Sequence, residues 1–181
     1  MSKYVKQVLL IWGGVSLAAC IALGIFTIYH FGMMRSDKND TASPHDVRYV
    51  LDGCHFGGKQ IEQVVHSHIS SRGFKGDYLD AFAFKISQVD DTDFTPRPDT
   101  PNSHWFRGDQ LPPVLDAAVQ LVTECHDMIS WFPTGEELRC SDVYVYPMDF
   151  YCCCGSVDPT MARLVFVRRT DNVVFYFDFK P

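Results

Sequence analysis

Charge is absent from one long stretch of this chain, and positive charge is scarce in the rest. No charged residue occurs between Val8 and Phe31, and Lys3 and Lys6 stand just before that stretch. At helical rise, the run spans roughly 36 Å, enough to cross a hydrocarbon core of about 30 Å. A cleaved signal peptide has an apolar region of only about 7–15 residues. Here the run continues through Ile21, Leu23, Ile25, Phe26 and Ile28. Leu17-Ala18-Ala19-Cys20 resembles a bacterial lipobox, which would make Cys20 a lipidation site. A polar tether normally follows such a cysteine, whereas Ile21-Ala22-Leu23-Gly24 follows this one. Residues 1–35 are therefore expected to be a single-pass anchor, with a transmembrane helix over about 8–31. Lys3 and Lys6 favour a cytoplasmic N-terminus. That orientation places the remainder outside the cell membrane, in the periplasm of a Gram-negative cell. Gly14, Ala18 and Ala22 recur every four residues, a spacing that lets helices approach closely.

Of 16 basic residues, Lys3, Lys6 and Arg35 precede Ser36, and none of the 22 acids does. Residues 36–181 thus hold 13 basic and 22 acidic residues, a formal charge of −9. Nucleic acid is a poor partner for such a domain, because its binding relies on Lys and Arg neutralising phosphates. Charge of this sign suits solubility or a basic protein partner.

Catalytic signatures are also missing. There is no glycine-rich phosphate loop, no nucleophile elbow and no zinc-protease helix motif. His66 and His68, with Cys54-His55, lack the spacing of a zinc module. Cys125-His126 places a thiol beside a base, but neighbours on a helix diverge by about 100°. Asp90, Asp91 and Asp93 lack the glycine and distal glutamate of an EF-hand loop. No metal, cofactor or enzymatic activity is expected.

What the domain does contain is six cysteines: Cys54, Cys125, Cys140, Cys152, Cys153 and Cys154. Outside the cytoplasm an even number of cysteines usually pairs, so at least two disulfides are expected.

Residues 36–45 are polar and read as a tether, with the domain over 46–181. Val47, Tyr49 and Leu51 alternate and suggest a strand. Ile61, Val64, Val65, His68 and Ile69 fall on one helical stripe, which predicts a helix that Gly73 ends. Tyr78–Ser87 alternates as a strand. Gln88–Asp109 is acidic, contains Pro96, Pro98 and Pro101, and is too long for a passive connection. A second helix is expected from Pro112-Pro113, with Asp109 as its cap and a stripe from Leu115 to Phe132. Val143–Tyr146, Arg163–Arg169 and Val173–Phe179 complete the strands, the last with one buried face (Val173, Phe175, Phe177, Phe179) and one solvated face. The fold class is α+β: an antiparallel sheet with two helices packed on one face.

The function this reading supports is an outward-facing, membrane-anchored protein-binding domain. Its concrete form is a bacterial immunity protein that neutralises a toxin in the periplasm. The alternatives are a component of an envelope or secretion assembly, or a thiol-redox or metal-handling protein using Cys152–Cys154. Partner binding is expected at Asp90, Asp91, Asp93 and Trp105, where acids would steer a basic partner and an indole would anchor it.

Overall fold

The computed structural model describes residues 3–34, 42–70, 72, 76–95, 104–152 and 159–181. They fall into two units that divide after Ser36.

The first unit is a single helix, α1 (Lys3–Met34). Between Lys3 and Tyr29 it is long and apolar enough to cross a membrane. Its polar Thr27 hydroxyl donates back to the Leu23 carbonyl at 2.7 Å, which satisfies it without water.

The second unit is built on α2 (Pro44–Gly53), β1 (Ile61–Ile69), β2 (Tyr78–Ile86), β3 (Phe106–Arg107), α3 (Pro113–Glu124), α4 (Gly135–Leu138), β4 (Val143–Cys152), β5 (Pro159–Arg168) and β6 (Val173–Lys180). The strands form one antiparallel sheet in the order β1-β2-β6-β5-β4-β3.

The sheet is covered on both faces, not on one. Val173, Phe175 and Phe177 join a core with Leu115, Ala118, Val119 and Val122 of α3. Val174 and Tyr176 join a second core with Val47, Val50 and Leu51 of α2. Successive strand residues point to opposite faces, so the two helices lie on opposite sides of the sheet. The β6 face expected in solvent is consequently buried from Val174 to Asp178.

Two elements exchange type relative to the sequence reading. Residues 44–53 are a helix because Val47, Val50 and Leu51 also satisfy helical spacing and all three are buried. A reciprocal cap starts it: Ser43 Oγ accepts from the Asp46 amide at 3.2 Å, and Asp46 Oδ2 accepts from the Ser43 amide at 2.9 Å. The tether is correspondingly shorter, since Ala42 is already buried; its residues 36–41 lie outside the described residues. Conversely, residues 61–69 are a strand. Its register against β2 slips between Ile61 and Gln63 and between Val64 and His66. Each slip inserts one residue into β1, turning a period of two into spacings of three and four that mimic a helix.

Smaller corrections concern the ends. Pro112, not Asp109, caps α3, and Asp109 instead pairs with Arg107 at 2.7 Å. α3 stops at Glu124, and Ile129 and Phe132 reach the same core from the chain beyond it. β4 runs through Pro147 to Cys152, with a register slip after Pro147 that accommodates its missing N–H. Gly73 lies outside the described residues.

Candidate functional site

The acidic residues singled out from sequence sit in and before a single 3-10 turn at Asp91–Phe94. Each has a local partner. Asp93 Oδ2 accepts from the Asp90 amide at 2.8 Å and from Lys59 Nζ at 2.7 Å. Lys59 Nζ also donates to the Gln88 carbonyl at 2.8 Å. Asp91 pairs with Arg169, and Asp90 accepts from Gln88 Nε2 at 3.2 Å. Trp105 is half-buried among rings: it stacks on Phe56 with centroids 5.0 Å apart and meets Phe94 and Tyr146 at 5.3 and 5.1 Å. Phe94 lies flat on Tyr144 at 3.7 Å. The fold thus gathers the four residues on the α2 face, beside a hollow of about 260 Å³ lined by His55, Phe56, Gly58, Lys59 and Asp93. Asp90 is exposed, and its carboxylate accepts from Gln88 at the surface.

A larger opening lies on the other face. Its floor is Ala83, Val173 and Phe175, and its volume is about 480 Å³. His66 of β1 stacks on Trp131 at 5.1 Å, with the rings only 20° from parallel, and this pair forms one wall. Lys85, His126, Thr134, Glu137, Arg168 and Asp171 supply the polar rim.

Much of that rim is engaged internally. Glu137 caps α4, accepting from the Thr134 amide at 2.7 Å and its hydroxyl at 2.9 Å, and these bonds hold its carboxyl below the usual range. Arg168 grips Asp171 in a fork of 3.0 and 2.7 Å. Burial pushes Asp171 upward, but the arginine outweighs it and the carboxyl stays ionised. His126 differs: its Nδ1 is buried and meets no hydrogen-bond partner among the described residues. Lys85, exposed at the end of β2, has no ion pair among the described residues.

The chain matches no protein-family model, no curated protein and no solved structure. The chemistry of the site therefore rests on its own geometry.

Thiol chemistry finds little support at the helices. Cys54 and Cys125 carry free thiols, and so does the exposed Cys140. Cys54 belongs to the α2 core and Cys125 to the α3 core, so the sheet separates them and they cannot pair. Burial pushes the Cys54 thiol up to about 12 and that of Cys125 up to about 11. Neither is a nucleophile at neutral pH, which disposes of the Cys125-His126 juxtaposition. Among the described residues no disulfide is present. Cys152 ends β4, and Cys153 and Cys154 lie outside the described residues. Cys20, the lipobox-like residue, is exposed on α1. Among the described residues no group of three metal-ligating side chains converges.

Sequence reading missed the cleft because it placed His66 on a helix. Only the strand assignment of β1 brings His66 onto Trp131.

Proposed function

We propose that this chain is a single-pass membrane protein whose domain, outside the cytoplasm, recognises another protein, in the manner of an immunity protein neutralising a toxin. The observation that carries this reading is the cleft walled by His66 and Trp131. An indole held by stacking and bordered by Lys85 and by a His126 nitrogen with no partner among the described residues combines a rigid apolar anchor with spare polar capacity. Such sites act as hot spots in protein recognition. The formal charge of −9 on residues 36–181 favours a basic partner and speeds its approach. Apposition of α1 and its flanking Lys3 and Lys6 to a membrane retains the N-terminus inside.

Two measurements test it. A reporter active only outside the cytoplasm, fused after Pro181, gives signal; signal from a cytoplasm-only reporter instead overturns the orientation. A photoreactive residue at Trp131 or Lys85 captures the product of an adjacent toxin gene, whereas one at Tyr49, exposed on α2, does not. Equal capture at all three positions removes the cleft from the interface.

A further inference from the structure

Lys85 of β2 and Arg168 of β5 are both in register with Val173 on β6, the strand between them. Directly opposed residues of a sheet project from the same face, so the three form one row, with a cation on each side of an apolar residue. Two strand spacings set the Cα atoms of Lys85 and Arg168 roughly 10 Å apart. Val173 belongs to the α3-side core, and all three residues line the larger cleft.

The two cations differ in how they are held. Arg168 is fixed: its fork to Asp171 uses Nε and Nη2, and its guanidinium carbon lies 5.1 Å from the centre of the Phe175 ring. Its Nη1 holds no bond among the described residues. Lys85 is exposed and, among the described residues, unpaired. The lining also contains two acids, Asp171 and Glu137. Asp171 gives both oxygens to Arg168, and Glu137 turns Oε2 onto Thr134. The four charges cancel, but the ammonium of Lys85 and Nη1 of Arg168 are left with donors to satisfy. The chemistry that completes this row is an anionic acceptor. A single carboxylate suits it better than a phosphate dianion, which would be repelled more strongly by the two acids. Beside the row, Trp131 and Phe175 supply apolar surface, and about 480 Å³ is ample for one acidic side chain and an apolar neighbour.

We infer that the cleft takes a carboxylate of the partner protein between Lys85 and Arg168, with a neighbouring apolar side chain laid against Trp131. The inference rests on the reading of this cleft as the recognition site and adds its selectivity. It is compatible with a partner that is basic as a whole. The formal charge of −9 acts on the partner's approach, whereas Lys85 and Arg168 act on the one group that enters the cleft.

The test uses the full chain in detergent micelles and two capped peptides, acetyl-Ala-Phe-Asp-Ala-amide and its Asn counterpart. They differ only in the carboxylate. Binding is read from the indole N–H resonance of Trp131, assigned by its loss in Trp131→Phe. The Asp peptide should bind about five- to tenfold more tightly than the Asn peptide, the worth of one charge-assisted hydrogen bond at a partly exposed site. Lys85→Gln should abolish that preference with Tm unchanged, because Lys85 is exposed, and Lys85→Arg should keep it. Equal binding of the two peptides to the wild type overturns the inference while leaving the cleft as a recognition site. A preference that survives in Lys85→Gln overturns it as well, since the carboxylate would then sit elsewhere. So does binding of free 3-phenylpropionate without binding of the Asp peptide, which would make the ligand a small molecule and not a protein. If neither peptide moves the Trp131 resonance, the inference fails, and photocapture at Trp131 decides separately whether the recognition reading fails with it.

Discussion

Asp80 and Asp178 stand directly opposite each other on β2 and β6, and both are buried. Two facing carboxylates repel, so the pair exists only because other side chains surround it. Arg72 binds Asp80 in a fork of 3.1 and 2.7 Å. Arg163, itself opposite Asp178 on β5, donates to it at 2.9 Å. The hydroxyls of Tyr78 and Tyr176 add bonds to Asp178 at 3.1 and 3.0 Å. The row closes the α2-side core where its apolar residues run out.

Asp80 should make stability depend on pH in the direction opposite to most aspartates. Burial raises its carboxyl above the ordinary value, the Asp178 charge adds to this, and Arg72 offsets only part. The folded state therefore binds the proton more tightly than the unfolded chain. Its contribution to stability is greatest below the ordinary carboxylate value and is lost as pH rises through the raised one. Denaturant midpoints measured between about pH 3 and pH 7 should show Asp80→Asn removing that downward component. An identical pH profile for the variant and the wild type would refute it.

Asp178→Ala should be among the most damaging single changes on this face. It strands Arg163 and two tyrosine hydroxyls at once. The expected cost is about 3 kcal/mol, since removing one member of a buried pair leaves the other uncompensated. Equilibrium unfolding in urea reads this directly. Tyr78→Phe, which removes one of the three bonds to Asp178, should cost about 1 kcal/mol.

Trp105→Ala tests whether this indole is an anchor for a partner or a lid on the core. Its contacts with Phe56, Phe94 and Tyr146 predict a stability loss of about 2–3 kcal/mol and a clearly lower Tm. Asp93→Asn should cost about 1 kcal/mol through the lost cap and Lys59 pair, while exposed Asp90→Asn should stay within about 0.5 kcal/mol. A Trp105→Ala protein with unchanged melting but impaired partner binding would return the indole to the interface.

Cysteine labelling separates the thiols by burial. In native protein Cys140 should react with a maleimide within minutes, whereas Cys54 and Cys125 should resist until denaturant is added. Peptide mapping after labelling assigns each. Rapid native labelling of Cys54 would contradict its place beneath α2.

Several elements were legible in the sequence because local pattern and tertiary environment agree there. The uncharged run that forms α1, the alternation of β2, the stripe of α3 and the alternation of β6, which starts after Asn172, appear where periodicity places them. Asn172 takes the left-handed conformation, with φ of 54°, which this residue type tolerates. Where sequence reading failed, two periods competed within a short segment. Val47, Tyr49 and Leu51 alternate, yet Val47, Val50 and Leu51 lie on one helical face, and the Ser43–Asp46 cap with a core to fill selects the helix. In β1 the inserted Glu62 and Val65 disguise a strand as a helix, and only pairing with β2 reveals it. The cleft followed from that pairing, since His66 and Trp131, with β2, β3 and α3 between them in sequence, meet only in the folded sheet. Cysteine number left the pairing open, and the sheet excludes one pair by placing Cys54 and Cys125 in separate cores. Composition and period fix what one segment can do alone; which face it buries, and whom it meets there, is decided by the free energy of packing the whole chain.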